Sequence, residues 1–254
     1  MVDHVEYATP NLIENFIDFW RRQGGAQRFG YLIGKYEPYE SVPMGVKAVV
    51  EAIHEPPQHG DVDGLEVNME WPDLEKVEAL AQSCGLRVVG LIYTDLVNDT
   101  EAEKPGAVVC KRHADSFFLS SLETIFAARM QALRPNPTKF SRSGKYSSKF
   151  VTCVVTGNEE GDIEVKAYQA SDQGCALVQA DLIEASVNPG VVRVKSESDP
   201  PLDGAKSVKR YVPDVFHRYK NDYGIIIKES AKPCFPVDYL LVSVCLCCLL
   251  LLSS

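Results

Sequence analysis

The side chains with which this chain could hold a metal or activate a nucleophile are five histidines, eight cysteines and 35 carboxylates. Their spacing excludes most familiar chemistries. His4, His54, His59, His113 and His217 are scattered and the one C-x-x-C spacing, Cys245 to Cys248, lies in an apolar tail, so a finger-type zinc site is not expected. His54 and His59 flank Pro56-Pro57 without a third ligand nearby and read as loop residues. There is no Walker loop, no dinucleotide glycine fingerprint and no H-E-x-x-H helix. Gly30-x-x-x-Gly34 falls inside a strand-like run rather than before a helix, which argues against a phosphate cradle. The paired carboxylates Glu159-Glu160 sit in an acidic turn, where solvated surface is the expected state. Cys84, Cys110, Cys153 and Cys175 stand singly in apolar stretches, as buried free thiols do, while Cys245, Cys247 and Cys248 crowd into an apolar tail. With no basic-then-apolar leader after Met1, such thiols point to a reducing, intracellular compartment.

The chain that must position these residues has ordinary globular composition. Of 254 residues, 45% are hydrophobic and 24% charged, and the net charge of −9 argues against nucleic acid as the main partner. One segment departs from this balance: residues 124–158 hold Arg129, Arg134, Lys139, Arg142, Lys145 and Lys149 and no acid. It reads as a solvated basic loop, with an acidic-partner patch as the alternative. Thr9-Pro10 predicts the start of a helix carrying Leu12, Ile13, Phe16, Ile17 and Trp20, stopped by Gly24-Gly25. Strands are predicted over 29–35 and 46–54. A helix over 73–84 presents Leu74, Val77, Leu80 and Cys84 on one face, ahead of Gly85. Residues 86–94 are almost wholly apolar, as a strand buried on both faces must be. A short strand is expected at 107–110. A third helix from near Ser116 has Phe118, Leu122, Ile125, Phe126 and Met130 as its stripe. Residues 135–148 read as loop, 149–156 and 163–170 as a hairpin, and Ser171 as the cap of a helix to about Ile183. From there to Asp214 the chain reads as a linker or extended arm, after which 214–227 and 237–244 are expected to add a helix and strands. The alternation predicts α/β or α+β with one sheet.

Three of these elements resemble parts of a known fold. Gln27-Arg28-Phe29-Gly30-Tyr31-Leu32-Ile33-Gly34 is similar to the MPN-domain strand whose usual form is E-x-x-G-L-L-x-G. Val89-Gly90-Leu91-Ile92-Tyr93-Thr94-Asp95-Leu96 is similar to the strand G-W-x-H-S-H-P, and Phe118-Leu119-Ser120-Ser121-Leu122-Glu123 to the helix start carrying S-x-x-D. In the JAMM metalloproteases of that fold the two histidines and the aspartate bind zinc, and the glutamate is the general base. The resemblance places Tyr93 and Asp95 at the histidine positions, Gln27 at the base and Glu123 at the aspartate, with Ser120 alone retained. A phenol of pKa about 10 is a poor ligand, an amide has no basicity to offer, and catalytic zinc needs three good ligands. No catalytic residue, metal or cofactor is therefore expected. The rival readings are a divergent isopeptidase using Asp95, Glu123 and His113, and an architectural scaffold.

Longer stretches resemble the MPN and C-terminal region of the nuclear protein localisation protein 4 family. They are 28–36, 53–58, 94–97, 118–123, 148–152, 168–171 and 211–216. The resemblance implies an MPN/JAMM-like central sheet flanked by helices, with a partial C-terminal extension. Residues 1–185 would form the MPN-like domain, 186–244 a truncated C-terminal region, and 245–254 an apolar tail foreign to the family. The family's N-terminal ubiquitin-like and zinc-binding regions have no counterpart in the sequence. The implied role is ubiquitin recognition in the cytoplasm and nucleus, and at the endoplasmic reticulum periphery. The implied partners are ubiquitin chains, the valosin-containing AAA+ ATPase and the ubiquitin fusion degradation protein 1 subunit. The loop 97–115 is the expected binding loop. The run 239–252, with only Ser243 polar, is too short to span a membrane and is an aggregation liability.

Overall fold

The computed structural model describes residues 1–68, 73–102, 104, 106–197, 199 and 214–246. The elements in chain order are β1 (His4–Tyr7), α1 (Asn11–Arg22), β2 (Phe29–Tyr39), β3 (Gly45–His54), β4 (Gln58–Gly60), β5 (Leu65–Val67), α2 (Leu74–Ser83), β6 (Arg87–Thr94) and α3 (Ser121–Ala132). There follow β7 (Pro135–Pro137), β8 (Lys145–Ser148), β9 (Val151–Gly157), β10 (Ile163–Ala170), α4 (Asp172–Gln179), β11 (Ile183–Ala185) and β12 (Val191–Val194). The last are β13 (Phe216–Lys220), β14 (Ile226–Ser230), β15 (Cys234–Pro236), a 3₁₀ turn (Val237–Leu240) and β16 (Leu241–Leu246). Two compact units interleave along the sequence: Met1–Arg112, Arg134–Gln169 and Ser243–Ser254 form one, His113–Leu133 and Ala170–Val242 the other.

The first unit holds the main sheet, in the order β1-β16-β10-β9-β6-β2-β3. The expected central sheet is there as a closed barrel rather than as a sheet simply flanked by helices. The closing strand is β1, which pairs in parallel with β3 on one side and β16 on the other. Closure leaves the sheet no free edge. The apolar run of β6 is buried as its composition requires, paired antiparallel with β2 and parallel with β9. Gly34 and Gly90 are the residues these pairings need. A Cβ at Gly34 would lie 1.9 Å from the Val49 carbonyl oxygen, and one at Gly90 2.5 Å from that of Val151. Ile13, Phe16, Ile17 and Trp20 of α1 join Leu32, Val50, Val89, Ile92, Val151 and Val155 in one buried cluster. The helix begins at Asn11 with Pro10 already helical and no side-chain cap, one residue later than Thr9-Pro10 suggests.

Several expectations need correcting. In α2 Leu80 is 67% exposed and only Ala81 is buried, so the expected apolar face is not the one that is covered. Gly85, with φ +75°, does close that helix. Helix α3 starts at Ser121 rather than near Ser116, and Leu122 is exposed. Helix α4 stops at Gln179, short of Ile183, because Asp181 turns to φ +52° and the Leu182 amide returns to the Leu177 carbonyl. The expected loop 135–148 contains the hairpin β7–β8. The strand expected at 107–110 is a single bridge between Asn98 and Val108. Residues 191–194 of the expected linker form β12, between β11 and β15. The described residues from 214 to 227 form strands β13 and β14 without the expected helix. The first tail residues, Cys245 and Leu246, belong to β16; the rest of the tail and 200–213 lie outside the described residues. Of the thiols expected to be buried only Cys153 is; Cys84 is exposed and Cys110 and Cys175 are half-buried. Among the described residues no helix is long and apolar enough to cross a membrane.

The second unit packs α3, α4, the sheet β11-β12-β15 and the 3₁₀ turn around Ile125, Leu177, Val192, Val194, Phe235 and Leu240. Its hairpin β13–β14 is a separate two-stranded sheet.

Candidate functional site

Gln27 is buried, 5% exposed, two residues before β2. Its Nε2 donates to the carbonyl oxygens of Leu96 at 2.8 Å and Val62 at 2.9 Å. Its Oε1 accepts from the Thr94 hydroxyl at 2.7 Å and the Leu96 amide at 3.3 Å. Both donors and the acceptor are thereby used, and the side chain clasps the end of β6 to the start of β2 and the loop before β5. Thr94 Oγ1 completes the clasp by accepting from the Arg28 amide at 2.8 Å. An amide suits this place because it must face donors and acceptors at once. A carboxylate has nothing to donate.

Next to Thr94, Asp95 presents its carboxylate to two cations. Arg112 donates to Oδ2, with Nε at 2.8 Å and an η nitrogen at 2.7 Å, and Lys111 reaches Oδ1 at 3.2 Å. Arg112 is 2% exposed. Its guanidinium also lies 5.9 Å from the centre of the Tyr93 ring, at the edge of cation–π range. The loop expected to bind a partner thus delivers Arg112 to Asp95. Its stem is fixed by the Asn98–Val108 bridge and by buried Ala107 and Val108. A cation arriving at Asp95 would have to displace two protein cations.

Ser120 and Glu123 lie in the second unit, where they serve each other. Ser120 Oγ accepts from the Glu123 amide at 3.2 Å, and Glu123 Oε2 accepts from the Ser120 amide at 2.7 Å. This is a capping box, and it explains why a glutamate follows the serine by three residues. The spacing S-x-x-E carried that signal in the sequence. His113, in the same unit, offers its backbone carbonyl to the Ser116 amide at 3.0 Å.

The structure therefore brings Tyr93 and Asp95 to one cluster around Arg112, gives Gln27 to a clasp, and commits Ser120 and Glu123 to a helix cap. The zinc that the MPN resemblance implies does not fit these residues. Among the described residues no group of three or more His, Cys, Asp or Glu is placed to hold a metal ion, and Asp95 is neutralised by Arg112 and Lys111. Sequence reading missed two residues here. Gln58 bonds the Phe29 backbone through both ends of its amide, Oε1 accepting at 2.7 Å and Nε2 donating at 2.8 Å. Arg28 pairs with Glu55 and stacks over Phe19. Neither has a local sequence signature. Burial holds the His54 imidazole below its usual range, while Glu159 and Glu160 are exposed in their turn, as expected.

The first unit is thus a closed mixed barrel whose buried polar side chains clasp backbone, and the second carries the capping box of α3. The family profile described as the NPL4 family matches residues 28–249, so the chain belongs to that family. It is 50% identical over 243 residues to the nuclear protein localization protein 4 of Scheffersomyces stipitis. It is 49% identical to those of Schizosaccharomyces pombe, over 243 residues, and Saccharomyces cerevisiae, over 245. Each alignment covers 96% of this chain, which spans about 40% of the length of each relative.

Proposed function

We propose that the chain is a non-catalytic, MPN-type ubiquitin-recognition module that helps deliver polyubiquitinated proteins to the valosin-containing AAA+ ATPase, including proteins drawn from the endoplasmic reticulum. Its further partner is the ubiquitin fusion degradation protein 1 subunit, and it works in the cytoplasm and nucleus. Residues 1–185 act as the MPN part and 186–244 as the C-terminal part, while Cys245 and Leu246, the partners of β1 in the closed barrel, belong to the fold rather than to a tail.

The observation that carries the non-catalytic reading is the commitment of Gln27 and Asp95. A general base must be free to take a proton, and the Gln27 amide is saturated by Leu96, Val62 and Thr94. A zinc ligand must offer a free lone pair, and both Asp95 oxygens face cations. Membership of the NPL4 family supports the adaptor role.

The test uses the chain purified without added metal. It is expected to retain polyubiquitin chains, to leave them uncut and to carry far less than one zinc per molecule. It should hold the ATPase more weakly than a full-length relative does. Equimolar zinc, with chain cleavage abolished by Glu123→Ala, overturns the reading in favour of an isopeptidase. No retention of ubiquitin overturns it in favour of a scaffold.

A further inference from the structure

Lysine and arginine side chains of the first unit are paired with carboxylates almost throughout, from Arg21 and Arg22 with Asp18 to Lys166 with Glu164. Among the described residues the exceptions are Arg87 and four side chains of one stretch, Lys139, Arg142, Lys145 and Lys149. Lys139 and Lys149 face rings instead, with Nζ 5.3 Å from the centre of Phe140 and 5.5 Å from that of Tyr36. Residues 134–149 hold no carboxylate at all, in a chain whose net charge is −9. Positive charge is segregated here.

The hairpin β7–β8 holds that charge in place. At its base Ser148 Oγ donates to the Arg134 carbonyl at 2.6 Å, and the Arg134 guanidinium pairs with Glu78 at 3.0 Å. At its tip the Thr138 amide donates to the Gly144 carbonyl at 2.9 Å, and the Gly144 amide, at φ +71°, to that of Ser141 at 3.0 Å. Lys139 and Lys145 are the next residues along the chain from the Thr138–Gly144 bond, and Arg142 stands in the turn between them. All three are exposed. So are two aromatic residues of the same hairpin, Phe140 at 89% and Tyr146 at 67%. A backbone already tied together does not have to be ordered by a ligand, and an anion relieves the mutual repulsion of three like charges on one short turn.

Three cations interleaved with two uncovered rings complement a short acidic segment that also carries an apolar residue. Its carboxylates meet Lys139, Arg142 and Lys145, and its aliphatic or aromatic side chain meets Phe140 or Tyr146. A long polyanion is the poorer complement. A nucleic acid or an anionic bilayer extends well past one Debye length, about 8 Å at physiological salt, and would meet the excess negative charge of the rest of the chain. A peptide of a few residues stays within the hairpin. We propose that β7–β8 is a docking site for a short acidic segment of a partner protein, anchored by an apolar residue.

The experiment titrates the full chain into fluorescein-labelled Asp-Glu-Asp-Phe-Glu-Asp-Leu-Glu, amidated at its C-terminus, and reads anisotropy. Saturable binding is expected, with Kd below about 100 μM at about 50 mM salt and at least about fivefold weaker at about 300 mM. The same peptide with Ser in place of Phe and Leu should bind at least about threefold more weakly. Lys139→Gln with Arg142→Gln and Lys145→Gln should weaken binding by about tenfold or more. The urea midpoint of this variant should not move, because the three side chains are exposed and unpaired. Arg21→Gln with Arg22→Gln and Lys76→Gln removes the same charge elsewhere and should leave Kd within about twofold. Absence of saturable binding, equal weakening by the two triple variants, or a Ser peptide that binds as well as the parent overturns the proposal. So does tighter binding of oligothymidylate or of phosphatidylserine vesicles than of the peptide, lost in the Lys139, Arg142 and Lys145 variant, which would assign the hairpin to a nucleic acid or a membrane.

Discussion

Replacing Gln27 by Glu restores the residue type of a general base with almost no change of shape, and the structure sets what that costs. The two acceptor contacts, from the Thr94 hydroxyl and the Leu96 amide, can survive. The two donor contacts cannot, and the carbonyl oxygens of Leu96 and Val62 then face a second oxygen at the 2.8–2.9 Å now spanned by Nε2. Each buried polar group left unmatched costs about 1–3 kcal/mol. The sum is about 2–6 kcal/mol, before any cost of burying charge. For a chain of this size about 2–4 °C of Tm follows each kcal/mol, so Gln27→Glu should lower Tm by roughly 4–24 °C at pH 7. The loss should shrink in acid. Burial and two facing carbonyls raise the folded-state pKa of the new carboxyl above its unfolded value near 4.3. Between those two pKa values the folded state holds the proton and the unfolded state does not, so the variant gains stability as pH falls. Urea unfolding at pH 7 and pH 5, with the m-value monitored to confirm a comparable transition, measures both effects. A variant as stable as the parent at pH 7 would refute the assignment of Gln27 as a donor to both carbonyls, and with it the reading that this position is closed to base chemistry.

Three further outcomes are expected. Arg112→Met leaves the Asp95 carboxylate with Lys111 alone and should cost about 3 kcal/mol; a double-mutant cycle with Asp95→Asn should recover a coupling of about 1 kcal/mol or more, and additive losses contradict the pairing. Burial lowers the pKa of His4, whose ring stacks on Tyr39 at 4.6 Å. The folded state then binds fewer protons than the unfolded state, so stability is full above about pH 6.5 and falls as pH drops below it. His4→Phe should flatten that slope in urea midpoints between pH 7.5 and 5.5, and an unchanged slope would exclude His4 as its source. Thiol labelling with site-resolved mass spectrometry should modify Cys84, Cys234 and Cys245 in the native protein. Cys153, fully buried with its pKa pushed up to about 12, should react only on unfolding.

Local pattern was enough to find α1, β2, β3, β6 and the hairpin β9–β10, because each is a long run whose apolar period matches one secondary structure. Barrel closure was not visible. It depends on four residues, His4–Tyr7, too few to carry a period, and on parallel pairings with distant strands. The covered face of α2 was misread because its neighbours bury Ala81 rather than Leu80. The candidate positions stood out only through likeness to MPN motifs, and their roles came from contacts no spacing encodes: Gln27 with Leu96, Asp95 with Arg112. Ser120 and Glu123 are the exception, since a capping box is written within four residues.

The strand that closes the barrel also sets a timetable for its formation. His4 pairs with Cys245 of β16, 241 positions later (245 − 4), and on its other side with Lys47 of β3. At synthesis rates of about 5–20 residues per second, that interval lasts roughly 12–48 s. Throughout it β1 can hold β3, but its other side has no mate, and β10 waits with an unclaimed edge once it has been made. Those two ribbons of unpaired backbone are the surfaces through which nascent copies could join one another. A nascent barrel of this design therefore needs its two edges shielded until β16 arrives.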